Sequence, residues 1–320
     1  MALPTAETGA GDDEGRLNRL RRGGFITGAD GRIRWPWRIV LFLSLLSALA
    51  AVLGSVTRLL IGPPEAGADL IRRSVGVAVP AALGASWVMM SIVESRSLAA
   101  LGLVRARFFT DTGLGLLIGV ALIGSVIGLL AIAGSLSWTV DAAAVSGWPA
   151  WLLRMCLILG LAAFLEEILF RGYAFQVLGE TAGPATAIGV TSLVFGAAHL
   201  PNPGVGTVAL LNTALAGILL GIAYWRTFSI WLVTGIHFAW NGVMSLVADL
   251  PVSGLDFGSA GIRASVSGPT IWTGGAYGPE GGLALTLVTL MGIVWTTRSR
   301  RLRRAPELLA LHPLPGNRLT

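Results

Sequence analysis

The chain has 320 residues, of which 54% are hydrophobic and only 12% charged, and its mean hydropathy is +0.74. A soluble globular domain carries about a quarter charged residues, so this composition excludes an ordinary soluble domain. The net charge of +6 and the pI of about 10.8 do not indicate a nucleic-acid partner, because the basic residues flank apolar runs instead of mixing with polar and aromatic surface.

All 23 basic residues are Arg. With 43 Gly, that bias reads as a GC-rich coding sequence and says little about function. The single cysteine, Cys156, lies in an apolar stretch and reads as a packing residue; no internal disulfide is possible.

Residues 1–36 are polar and Gly-rich, with Arg16, Arg19, Arg21, Arg22, Arg32 and Arg34, and read as a polar cytoplasmic tail. The segment is too long and too charged for a signal-peptide n-region. Trp35 and Trp37 follow where an interfacial aromatic belt belongs. A membrane domain is expected over 37–297. Its apolar runs approach the ~20 residues that cross a bilayer. Eight spans are predicted, at about 38–61, 74–93, 113–134, 149–178, 184–200, 207–226, 228–247 and 282–297. The segment 298–320 reads as a basic cytoplasmic tail, and its His312 as a surface residue. The expected fold class is therefore all-α, a polytopic membrane protein of about eight transmembrane helices.

The positive-inside rule sets the orientation. With both termini inside, the inner side collects the N-terminal arginines, Arg96, Arg105, Arg107, Arg226 and the run from Arg298 to Arg304. The outer side keeps only Arg58, Arg72, Arg73, Arg154 and Arg263. A bacterial cytoplasmic membrane with both termini cytoplasmic is the expected location. The longest outer loop, 248–281, is rich in Gly, Ser and Pro and reads as a flexible connector. Gly115 with Gly119, Gly124 with Gly128 and Gly217 with Gly221 are spaced for close helix contact.

Ionisable groups at bilayer depth cost at least a few kcal/mol each, so a cluster needs a reason. Span four carries Glu166, Glu167 and Arg171, span five ends at His199, and span seven carries His237 and Asn241. Glu167 and Arg171 are four apart and share a helix face, which suits an ion pair. Glu166 lies about 100° round the helix and is left without that partner. At 1.5 Å per residue, Glu166, His199, His237 and Asn241 fall within one layer less than about 10 Å thick. Such a polar layer between spans four, five and seven has the parts for hydrolysis. A buried carboxylate can act as general base toward water, a His can hold that water, and a His–Asn pair can donate to a developing oxyanion. Gly9–Asp12 fits the Gly-x-Gly-Asp of aspartyl intramembrane proteases, and Ser192 precedes His199 by seven residues. Both read as chance matches.

The three stretches resemble the signature of the CAAX-processing and bacteriocin-processing intramembrane peptidases, which include the type II CAAX prenyl endopeptidases. That pattern is Glu-Glu-x-x-x-Arg, Phe-x-x-x-His and His-x-x-x-Asn or Asp, met here by Glu166, Glu167 and Arg171, by Phe195 and His199, and by His237 and Asn241. The matching core is 149–247. The resemblance implies an intramembrane endopeptidase in which Glu166 activates water, His199 positions it, and His237 and Asn241 stabilise the oxyanion. Glu167 and Arg171 would support them. It leaves the cofactor open between none and a divalent metal such as zinc, whose ligands would be Glu166, His199 and His237. The implied partners are the lipid bilayer and a membrane-associated protein or peptide substrate; the sequence carries no sign of an oligomeric state. Two alternatives remain at this point. One is a non-catalytic immunity or scaffold protein of the same fold; the other is a transporter using the Glu/His layer as a proton relay.

Overall fold

The computed structural model describes residues 24–28, 30–65, 68–140, 148–258 and 261–311. His312 and the Gly9–Asp12 stretch lie outside the described residues. Helices dominate the chain. In order they are α1 (Trp35–Ile61), α2 (Ala68–Val88, continued by a π turn, Met89–Val93), α3 (Phe108–Ile132) and α4 (Trp148–Arg171). They are followed by α5 (Tyr173–Ala198), α6 (Thr207–Thr227), α7 (Ile230–Gly242, continued by a π turn, Val243–Val247) and α8 (Leu283–Arg298).

Local chemistry explains several of these ends. Pro36 sits in the first turn of α1, where its missing N–H costs nothing and its fixed φ suits the helix. The Ser229 side chain caps α7 by accepting from the Leu232 amide at 3.3 Å. The predicted fourth span, 149–178, is in fact broken. Gly172, at φ −78° and ψ −129°, ends α4, and α5 starts afresh at Tyr173. Gly183, at φ +82°, then kinks α5 just before Pro184. A left-handed φ followed by a ring without an N–H cannot continue a straight helix.

Among the described residues, five helices are long and apolar enough to cross a membrane: Trp35–Ile61, Asp69–Val93, Arg105–Ile132, Thr207–Thr227 and Ile230–Val247. Helix α8 is apolar but shorter. Helix α4 carries Arg154, Glu166, Glu167 and Arg171. The expected count of eight is thus met only in part, because two of the expected spans are charged or interrupted and a third is short. Val40, Leu41, Leu43, Val52, Val56 and Leu59 of α1 are exposed. An apolar face of that extent suits lipid, not water. The chain is an integral membrane protein.

The expectation of a purely helical chain is also corrected. Strand β1 (Leu136–Val140) pairs antiparallel with β2 (Ile262–Val266), with Leu136 opposite Val266 and Val140 opposite Ile262. Both segments lie outside the helices and pair backbone groups with each other, while the Ala264 amide of β2 also donates to Asp249 Oδ2 at 2.9 Å.

Helix α7 is the axis of the core. Its Ile230, Leu232, Val233 and Ile236 pack with Ile118 of α3, Ile168 of α4, Phe175 of α5 and Leu219, Ala223 and Tyr224 of α6. Helix α3 lies against α7 through glycine. A Cβ on Gly115 would stand 2.2 Å from the Leu232 carbonyl oxygen, and one on Gly119 would stand 2.4 Å from that of Ile236. The Gly124 and Gly128 positions, expected to do the same, face open space.

Both chain ends engage the helical body. Arg32 and Arg38 form a buried quartet with Glu94 and Glu180: Arg38 reaches Glu94 at 2.6 Å and Glu180 at 2.7 Å, and Arg32 reaches Glu94 at 2.7 Å and also contacts Glu180. The Tyr173 hydroxyl donates to Glu94 at 2.8 Å. At the other end, Arg226 donates to the carbonyls of Thr297, Ser299 and Leu302, and Leu302 and Leu308 are buried.

Candidate active site

The end of α4 supplies two adjacent carboxylates that face different surroundings. Glu167 is fully buried, and both of its oxygens accept from Arg171 Nη1 at 3.0 Å. Arg171 is also fully buried, donates to the Gly217 carbonyl of α6 at 2.9 Å, and lies 5.1 Å from the Phe195 ring centre. A guanidinium shared between a carboxylate, a backbone carbonyl and an aromatic face is pinned in a single orientation.

His237 comes in from α7. Its Nδ1 meets Glu167 Oε1 at 2.7 Å, so the ring continues a relay that runs from the Gly217 carbonyl through Arg171 and Glu167. The bond to an ionised acceptor requires the proton on Nδ1. That leaves Nε2 turned toward Glu166, 3.7 Å from its Oε2. This Oε2 is buried and has no hydrogen-bond partner, while the Glu166 side chain as a whole keeps 31% exposure. Glu166 is the carboxylate with spare acceptor capacity.

His199 closes the end of α5. Its Nδ1 lies 2.8 Å from the Phe195 carbonyl, and its ring packs 4.8 Å from the Phe195 ring. Phe195 thus touches His199, His237 and Arg171 together. Glu166, His199, His237 and Asn241 all line one cavity of about 440 Å³. Its walls are otherwise largely apolar, with Ile158, Leu159, Leu165 and Leu169 from α4 and Leu219 from α6. Ser192 is buried against Gly217 and does not line this cavity.

The segment after α7 is not the free connector its composition suggests. Val252, Ser253, Leu255, Phe257 and Glu280 line the same cavity. Asn202 donates to the Ser253 carbonyl at 2.9 Å, and the Gly254 amide donates to that of Tyr277 at 3.0 Å. The strand pair β1–β2 ties the same segment to the end of α3, and Trp138 donates to the Ala248 carbonyl at 3.0 Å. Burial, reinforced by the Glu280 carboxylate, pushes the Tyr277 hydroxyl above its ordinary value, so it stays protonated at neutral pH. Sequence reasoning missed Glu280, Ser253 and Trp240 as wall residues. Trp240 stood inside a recognised motif, but nothing marked Glu280 except its being an acid in a Gly-rich stretch.

The histidines and Glu166 do not form a ready metal site. Among the described residues no group of three or more His, Cys, Asp or Glu side chains is arranged to hold a metal ion. Each histidine bonds a protein acceptor through Nδ1, which leaves Nε2 as its remaining ring nitrogen.

Residues 147–243 match the family model described as type II CAAX prenyl endopeptidase Rce1-like. Over this stretch, about a third of its length, the chain is similar to that family. Neither the curated proteins nor the solved structures contain a match to it. The Rce1-like stretch holds Glu166, Glu167, Arg171, Phe195, His199, His237 and Asn241, and it ends before the 248–282 segment that roofs the cavity.

Proposed function

We propose that the chain is an intramembrane endopeptidase in which Glu166 activates water against a peptide bond of a membrane-associated protein or peptide. The observation that carries this reading is Glu166 itself: it lines the cavity, its side chain keeps 31% exposure, and its Oε2 has no hydrogen-bond partner. A carboxylate held in a largely apolar cavity, with no cation bonded to it, suits a general base.

Water in the cavity gives its proton to Glu166 while its oxygen attacks the substrate carbonyl carbon. The C–N bond then breaks, and the leaving nitrogen takes the proton back from Glu166. His199, with Nδ1 committed to Phe195, offers Nε2 to hold the water. His237, with Nδ1 committed to Glu167, can donate to an oxyanion only through a protonated Nε2. Asn241, one helical turn further along α7, supplies an amide N–H on the same face. Glu167 and Arg171 act as positioning residues that fix the tautomer and aim of His237. The Rce1-like match makes a prenylated protein the first substrate class to test.

In this reading the eight expected spans enclose the cavity within the bilayer, and both termini lie on the cytoplasmic side of a bacterial membrane. Residues 1–36 and 298–320 flank the membrane domain.

The test is cleavage of a prenylated-peptide library and its unprenylated counterpart by the protein in lipid, wild type against Glu166→Ala. Cleavage that vanishes in the variant at equal yield and helicity supports the assignment. Cleavage that survives the substitution removes Glu166 as the base.

A further inference from the structure

Glu280 stands outside the Rce1-like stretch, 40 residues after Trp240 in the chain, yet it lines the same cavity. Its carboxylate takes three donors. Oε1 accepts from the Trp240 indole at 3.0 Å, and Oε2 accepts from the Ser253 hydroxyl at 2.8 Å and the Ser253 amide at 2.5 Å. Its own backbone carbonyl accepts from Asn212 of α6 at 2.8 Å, and Asn212 also holds the Gly282 carbonyl at 2.9 Å. Thr286 of α8 completes the set by donating to Asn212 Oδ1 at 2.6 Å. One side chain therefore joins α7 to the Ser253 turn, while its backbone is held by α6.

Trp240 is the immediate neighbour of Asn241 and lies one turn from His237, and Ser253 is held by Asn202, three residues past His199. Resting on the peptidase reading, we infer that Glu280 is a positioning residue, clasping the 249–282 segment over the cavity and fixing the Trp240 wall that sets His237 and Asn241. All three partners are donors, so the site fits only an acceptor-only ionised carboxylate. Glutamine is nearly isosteric yet fails here: whichever way it turns, its NH2 faces either the indole N–H or the Ser253 pair. The rest of the segment keeps its other ties, β1–β2 and Gly254 to Tyr277, so losing the clasp loosens one end without unfolding the molecule.

Two readouts test this on the full chain in lipid nanodiscs. Amide hydrogen exchange over 250–258 reports the clasp directly, because the Ser253 amide is one of its donors. Glu280→Gln is expected to speed that exchange by about tenfold, the size of a lost charge-assisted hydrogen bond, while α3 is unchanged. Trp240→Phe removes only the indole donor and should give a smaller rise that does not add to that of Glu280→Gln. In the cleavage assay, Glu280→Gln should lower kcat about tenfold or more with KM little changed, since the groups displaced act on the transition state. Unchanged exchange in Glu280→Gln overturns the clasp. Faster exchange with wild-type kcat overturns the positioning role and leaves Glu280 a plain structural tie. Failure of the wild type to cleave anything would sink the peptidase reading and with it the catalytic half, while exchange would still decide the clasp.

Discussion

The Arg32–Arg38–Glu94–Glu180 quartet and the Glu166–Glu167–Arg171–His237 layer both bury two carboxylates beside cationic side chains. In the quartet each arginine touches both glutamates, so two positive and two negative charges close on themselves. In the layer a single arginine serves Glu167, and Glu166 is left with a buried oxygen that nothing donates to. The quartet joins the N-terminal segment and α1 to the end of α2 and to α5, and does not line the cavity. The layer does. Burial of charge therefore does not by itself mark chemistry in this molecule. On the peptidase reading the incompletely paired Glu166 does, because a carboxylate already held by cations and donors is a weaker base toward water.

Substitutions can break that contrast or sharpen it. The largest effect is expected at Glu166. Glu166→Gln keeps the shape, should leave the unfolding midpoint in detergent unchanged, and should cost about 10²–10⁴-fold in cleavage rate, the usual worth of a positioned general base. A comparable loss of stability would put Glu166 in the same structural class as the quartet.

Next is Glu167→Ala. It strands the fully buried Arg171 and unties His237 Nδ1, and a buried pair broken from one side costs about 3–5 kcal/mol. Denaturant unfolding reads that cost, and the double variant with Arg171→Met should recover much of it. Cleavage should stay low in the double variant, since His237 has still lost its anchor. Recovery of cleavage together with stability would show that the Arg171–Glu167 relay does not aim His237.

In the quartet, Arg38→Met should destabilise by about 1.5–3 kcal/mol, because Arg32 still reaches both glutamates. The turnover of the folded fraction should match wild type. A kcat that falls at full stability would tie the quartet to the chemistry and end the contrast drawn above. The smallest effect is expected for Arg32→Ala, whose side chain is 35% exposed: about 0–1 kcal/mol, shrinking as salt is raised.

Much of this was legible in the sequence where the relevant neighbours are close along the chain. The helical segments followed from runs of apolar residues, and six of the eight expected spans match a helix to within a few residues. The Glu167–Arg171 pair followed from a four-residue spacing, and the three polar stretches were picked out before their helices could be placed together. Helix α4 was drawn too long because Gly172 stands alone between helix-compatible residues, with no proline after it. The fifth span was begun at 184, where the structure puts the Gly183 kink inside α5.

Contacts that span the chain were invisible. Arg38 drew no reading of its own at the start of the first span, although it meets Glu180 across 142 residues. Glu280 looked like an acid in a flexible loop, and the contact of His237 with Glu167 across 70 residues had no counterpart in the spacing along either helix. Periodicity records which face of a helix a residue occupies, and so by itself it determined the apolar spans and the candidate residues. It carries nothing about which other helix that face meets. The tertiary structure alone decided which carboxylate is neutralised, which is left open to the cavity, and what closes over it, because those outcomes depend on distances between helices that local sequence does not encode.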